Sequence, residues 1–166
     1  MKKAIIITGT PGTGKTEIAK EVSLLLKKNL ICTTEEAKKA SLMQEFDKIR
    51  ETYPVDVDLL VEHLIKIIKE SEEELIIEGH LSHFLPAKYV SLCIVCTTEL
   101  QTLKKRLLER NYSENKIKDN LDSEIFETCL TESMEENHNI EKIDTSQDIK
   151  KTINLLKDIF KKQRIL

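Results

Sequence analysis

A doubly wound α/β fold, with one five-stranded parallel sheet between helices on both faces, is what this sequence predicts. Three observations predict it. Short continuous apolar runs alternate with longer segments of helical periodicity along the whole chain. The runs are rich in Ile, Leu and Val without polar alternation, the pattern of strands buried on both faces. No repeat, low-complexity stretch or linker interrupts them, so residues 1–166 read as a single domain with room for a substantial core.

The elements follow in order. A strand is expected over 3–8, then a helix over 14–28 that turns Ile18, Val22 and Leu25 inward, then a short strand over 30–32. Residues 33–54 are too polar for core. Thr33-Thr34-Glu35-Glu36 opens this stretch as an N-cap pattern and Tyr53-Pro54 closes it. The stretch is either an inert surface excursion or a flap that closes over a second substrate. A helix over 57–70, strands over 74–78 and 92–97, helices over 99–110 and 114–137, a strand over 140–143 and a helix over 147–162 complete the pattern. Asp144 or Ser146 is expected to cap the last helix.

Composition narrows the classes of function. A net charge of −3 argues against a broad nucleic-acid surface, and Lys161, Lys162 and Arg164 read as a solvated helix end. No apolar run approaches the ~18 residues of a membrane helix. Met1-Lys2-Lys3 resembles the start of a signal peptide, but its apolar stretch ends at Thr8-Gly9, so a cytoplasmic protein is expected. Cys93 and Cys96 have C-x-x-C spacing inside a strand-like run. Positions three apart on a strand face opposite ways, so these two are expected to be core cysteines rather than a metal or redox pair.

The chemistry begins at Gly9-Thr10-Pro11-Gly12-Thr13-Gly14-Lys15-Thr16, between the first strand and the first helix. G-x-x-x-x-G-K-T in that setting is a phosphate-binding loop. Backbone amides of Gly12, Thr13 and Gly14 and the helix N-terminus are expected to cradle ATP phosphates. Lys15 would reach the β/γ-phosphates, and the Thr16 hydroxyl would ligate Mg²⁺. Glu78, ending the third apolar strand, reads as the carboxylate of the Mg²⁺ shell. Gly79 would let the chain pass close to the phosphates, and His80 would emerge at the mouth to orient a water or touch a phosphoryl group. His83 is a weaker candidate, and His63 and His138 read as surface positions on helices.

Only four of the 26 basic residues are arginines. Arg106 and Arg110, four apart, share a helix face that runs into the polar break Asn111-Tyr112-Ser113. This is either a short lid presenting guanidinium to phosphate or an exposed basic face. Arg50 could hold the phosphate of an acceptor. The backbone near Ser146 and Gln147 would lie where a base stacks.

Together these residues resemble the small adenylate kinase-like ATPases that include the nuclear CINAP-type adenylate kinase and its archaeal relatives. Besides the loop and Ile77-Glu78-Gly79-His80, the resemblance rests on Glu109-Arg110-Asn111-Tyr112-Ser113-Glu114-Asn115-Lys116, continuing through Asp119-Asn120-Leu121 to Glu124-Ile125-Phe126. Asp47-Lys48-Ile49-Arg50-Glu51-Thr52 with Val55-Asp56 is similar to the family's monophosphate side. The resemblance implies a nucleoside-monophosphate-kinase-like fold, with 33–54 as monophosphate flap and 109–119 as short lid. It implies a broad nucleoside-monophosphate kinase, transferring phosphoryl from Mg·ATP to AMP, with ATPase activity. Gly12, Gly14, Lys15 and Thr16 would hold ATP, Glu78 and His80 form the acid-x-His pair, and Arg110 is the lid arginine. It also implies a part in small-ribosomal-subunit maturation through a small-subunit ribosomal protein. The chain departs from the family at Glu17, where a second Thr is common and a carboxylate now stands near phosphate. It departs also at Glu78, often Asp, and at 33–36, where an Asp-x-Gly-Glu type segment is usual. Two rival readings are an ATP-driven assembly factor with incidental kinase activity and a kinase of another small molecule; the latter lacks its Gly-Gly acceptor loop.

Overall fold

The computed structural model describes residues 2–166; Met1, part of the basic start noted above, lies outside the described residues. Five parallel strands form the sheet: β1 (Ala4–Thr8), β2 (Leu30–Cys32), β3 (Leu75–Glu78), β4 (Val90–Thr97) and β5 (Ile140–Asp144), in the order β2-β3-β1-β4-β5. All five expected strands are present, with β4 opening earlier than expected, at Val90. Among the described residues seven α-helices accompany them, besides two single 3-10 turns at Ser82–Phe84 and Ala87–Tyr89: α1 (Lys15–Leu26), α2 (Thr33–Lys39), α3 (Val57–Glu70), α4 (Leu100–Glu109), α5 (Glu114–Ile125), α6 (Thr128–Glu135) and α7 (Ile149–Lys162).

Strand alternation divides the core into two layers. Ala4, Ile6, Ile77 and Cys93 pack with Leu60, Leu64 and Ile68 of α3 and Leu130 of α6 on one face. Ile5, Ile7, Ile76 and Cys96 pack with Ile18 and Val22 of α1 and Leu156 and Phe160 of α7 on the other. Cys93 and Cys96 therefore sit in different layers, as their spacing requires. Burial pushes each thiol up to about 12, which leaves them inert. A smaller cluster joins Leu103 and Leu107 of α4 to Ile117 of α5, beside the loop that follows β1.

Three expectations are corrected. The single helix over 114–137 is two helices, because the chain turns at Glu127 (φ 50°). That turn sends α6 onto the sheet while α5 stays with α4. The last helix starts at Ile149 and is capped by neither Asp144 nor Ser146: the Asp148 carboxylate accepts from the Lys150 amide at 3.0 Å. In the 33–54 stretch α2 begins at Thr33 with no side-chain cap, and Thr33 and Ala37 are buried, so its first turns belong to the core. Beyond α2 the chain forms a hairpin, with antiparallel pairs Met43–Val55 and Asp47–Thr52. Its tip is closed by the Asp47 carboxylate, which accepts from the amides of Ile49 and Arg50.

Candidate active site

Parallel strands place their carboxyl ends on one edge, and the loops leaving β1 and β3 meet there. β1 ends at Thr8 and the chain enters the glycine loop, which closes on itself: Thr13 donates through both its amide and its hydroxyl to the Thr10 carbonyl, at 3.2 and 2.8 Å. Gly14, in left-handed geometry (φ 80°), caps α1 without any side-chain acceptor; the Glu17 amide turns back to the Gly14 carbonyl at 3.1 Å, and no side chain caps the amides of Lys15 and Thr16 ahead of it. The loop is pinned from outside as well. Arg106 donates to the carbonyls of Gly12 at 3.4 Å and Thr145 at 2.9 Å, and the Thr145 hydroxyl donates to the Thr13 carbonyl at 2.5 Å.

Across the loop, β3 lies between β1 and β2, with Glu78 registered against Ile7 and Cys32. The Glu78 side chain is buried, and the Thr16 hydroxyl donates toward both of its oxygens at 3.3 and 3.4 Å. Lys15 Nζ rests on the Thr10 carbonyl at 3.5 Å. Burial lowers its pKa, while the Glu78 charge opposes that shift. His80 lines the same cleft; desolvation first, then the Lys15 charge, hold its imidazole down to about 4, so it is neutral at neutral pH.

The cleft encloses about 1280 Å³. The glycine loop, Thr16, Glu17 and Glu78 form its floor, Arg110 and Lys116 one wall, and Arg50 of the hairpin the other. Two smaller cavities adjoin it. One, of about 240 Å³, lies between Gly14, Glu17, Arg106 and Gln147. The other, of about 390 Å³, is walled by Ala37, Met43, Val55 and Leu60, with Arg50 and His80 at its rim. The geometry is that of a phosphate-cradling loop facing a buried carboxylate, between two flanking chambers.

Comparison with known proteins gives this geometry its family. A family model described as "AAA domain" matches residues 5–127. The "Putative adenylate kinase" of Methanocaldococcus jannaschii is 34% identical over 160 residues, 96% of this chain and 87% of that protein. The adenylate kinase isoenzyme 6 homolog of Caenorhabditis elegans is 31% identical over 131 residues, 79% of this chain and 72% of that protein. The chain belongs to this adenylate kinase-like family. In fold it is similar to the deoxyadenosine kinase of M. mycoides with bound dATP (TM-score 0.62, 17% identity, 97% of this chain and all of that one). It is also similar to a gluconokinase of Sinorhizobium meliloti (TM-score 0.58, 11% identity, 92% and 88%).

In this adenylate kinase-like chain the expected site residues converge on one edge. Gly12, Gly14, Lys15, Thr16, Glu17, Glu78, His80 and Arg110 all border the main cleft, and Gln147 borders the 240 Å³ chamber. Thr13 differs: its side chain is fully buried against Thr10, leaving only its backbone for a ligand. Gly79 borders the main cleft and carries a packing constraint as well. Its missing side chain makes room for Thr33, since a Cβ there would lie 1.8 Å from Thr33 Oγ1.

The histidines need correction. His83 is buried, with Nδ1 2.8 Å from the Thr8 hydroxyl and Nε2 2.9 Å from the Glu132 carboxylate; burial holds it down to about 4. His138 lies beyond α6, where Nε2 donates to the His83 carbonyl at 2.8 Å. His63 Nε2 meets Glu36 at 3.1 Å, tying α3 to α2. None is an ordinary surface position. Arg106, expected beside Arg110 either in a lid facing phosphate or on an exposed basic face, instead anchors the loop through the Gly12 and Thr145 carbonyls. Lys116 in the cleft wall was missed as a site residue. The polar stripe Lys116, Asn120, Ser123 at helical spacing was the available signal.

Oxygen donors around a phosphate cradle fit Mg²⁺, which is bound through few carboxylates and keeps substrate oxygens in its shell. Thr16 and Glu78 meet that description. Among the described residues there is no group of three His, Cys, Asp or Glu that could hold a metal ion. Among the same residues no helix is long and apolar enough to cross a membrane.

Proposed function

We propose that this chain is a broad nucleoside-monophosphate kinase, moving a phosphoryl group reversibly from Mg·ATP to AMP, with slower hydrolysis when no acceptor is bound. The observation that carries the reading is the pairing of the phosphate loop with Glu78 between two chambers, one beside Gln147 and Arg106 and one beside Arg50. Residues 1–166 act as one catalytic domain, with 33–54 as monophosphate flap and 109–119 as lid.

The amides of Gly12, Thr13, Gly14 and Lys15 receive the β- and γ-phosphates, with Lys15 balancing their charge. Thr16 and Glu78 would hold a Mg²⁺ ion, which would supply positive charge to offset the phosphate charge during transfer. Arg110 approaches from the lid and Arg50 fixes the acceptor phosphate, so an acceptor oxygen attacks the γ-phosphorus in line as the bond to ADP breaks. His80, neutral at working pH, orients the attacking group by hydrogen bonding rather than by charge. Gln147 and Arg106 flank the donor base. Glu17 adds negative charge near the phosphates and raises the demand on Lys15 and Arg110.

ADP formation from Mg·ATP, measured with and without AMP, tests this reading. Production that rises strongly with AMP and disappears in Lys15→Ala supports it. Slow ADP release indifferent to AMP favours the second reading, an ATP-driven assembly factor that meets a small-subunit ribosomal protein in the cytoplasm. The few arginines at the cleft favour that alternative, and a pull-down of ribosomal proteins with and without ATP tests it.

A further inference from the structure

Lys116 stands on the cleft side of α5, outside the groups given a part in the transfer. Its Nζ donates to the main-chain carbonyl of Glu51 at 2.6 Å and lies 4.2 Å from the centre of the Tyr112 ring. Glu51 belongs to the hairpin, whereas Tyr112 and Lys116 belong to the stretch that carries Arg110. One ammonium therefore spans the mouth of the cleft. Among the described residues this is the one hydrogen bond between residues 43–55 and 109–125.

The hairpin end of the contact is built to transmit position. Glu51 is in left-handed geometry (φ 50°), and its neighbour Arg50 is tied by its amide to the Asp47 carboxylate at 3.0 Å. Fixing the Glu51 carbonyl therefore fixes the segment that aims Arg50 into the cleft. The Tyr112 ring holds the ammonium from the other side, in cation–π contact.

We propose that Lys116 is a positioning residue that couples the two sides of the cleft, so that filling the donor side tightens the acceptor side. The inference rests on the reading of the cleft as a site for Mg·ATP and AMP. A donor nucleotide that draws Arg110 inward favours the arrangement in which Lys116 reaches Glu51, and that arrangement presents Arg50 to the acceptor. Coupling of this kind is reciprocal: AMP tightens the donor by the same factor.

Calorimetric titration of AMP, with Mg²⁺ and with or without a non-hydrolysable ATP analogue, measures the coupling directly. The wild-type protein is expected to bind AMP about 5- to 150-fold more tightly when the analogue is present. Lys116→Met should bring that ratio to within about twofold of unity, and Lys116→Arg, which keeps a donor, should restore most of it. Glu51→Gln should keep the wild-type ratio, because the acceptor is a main-chain oxygen. In turnover Lys116→Met should raise KM for AMP by a larger factor than it lowers kcat. A wild-type ratio that survives Lys116→Met, a ratio near one in the wild type, or a loss in Glu51→Gln as large as in Lys116→Met overturns the coupling alone. A wild-type protein that binds no AMP overturns the acceptor reading, and the coupling falls with it.

Discussion

Gly79 sits between the two groups given the most chemistry, Glu78 and His80, at φ 147°, where a Cβ would strike the Thr33 hydroxyl at 1.8 Å. Gly79→Ala must therefore adopt a backbone that costs about 1–3 kcal/mol and displace the start of α2 as well. We expect a clear fall in Tm, with part of the loss recovered in the double variant Gly79→Ala, Thr33→Ala. An unchanged Tm in Gly79→Ala would contradict the packing described. For Lys15→Ala the expectation is kinetic: a loss of roughly 10²-fold or more in transfer rate, the scale of one oriented charge removed from the developing transition state. An unchanged rate in the purified variant would remove Lys15 from that role. His80→Ala should reduce ATP hydrolysis more than ATP affinity; equal losses in a binding titration would make His80 structural.

Helix ends carry predictions at the next scale. Asp148 caps α7, so Asp148→Ala should cost about 1 kcal/mol in urea denaturation. The Asp144 carboxylate only closes a turn onto the Ser146 amide, so Asp144→Ala should cost less; the reverse order would contradict the capping seen here. This pair also marks where the sequence stops being legible. Both carboxylates are followed by helical periodicity, and only the three-dimensional path of the chain decides between them. Strands β1 to β4 were legible because their central residues form uninterrupted apolar runs, and the phosphate loop because its chemistry is local. Strand β5 was legible because Ile140 and Ile143 close the alternation of strands and helices, although Glu141 and Lys142 lie between them. The opposite faces of Cys93 and Cys96 followed from strand geometry alone. The break at Glu127 was not legible, because a non-glycine residue in left-handed geometry leaves no compositional mark. The grip of Arg106 on Gly12 and the reach of Lys116 to Glu51 were hidden for another reason: both join residues far apart in sequence.

For the whole molecule, the buried imidazole beneath the phosphate loop links stability to pH. His83 is held at about 4 against an ordinary value of 6.5, facing Thr8, Glu132, His80 and His138. Below pH 6.5 the unfolded chain takes up a proton that the fold refuses, so stability is full above about 6.5 and falls as pH drops toward 4. The raised pKa of Glu132, due first to desolvation, acts the other way at the acid end. Denaturation at pH 7 and pH 5 should show a drop that His83→Gln reduces by up to about 2 kcal/mol; identical drops in both proteins would contradict the assignment. The cleft itself binds all these elements into one catalytic proposal, and the destination of the γ-phosphate tests it most directly. With γ-labelled Mg·ATP and unlabelled AMP, the label should appear in ADP, at a rate set by AMP and lost in Lys15→Ala. Label found only in inorganic phosphate, at a rate AMP does not change, would contradict the transfer and leave an ATPase.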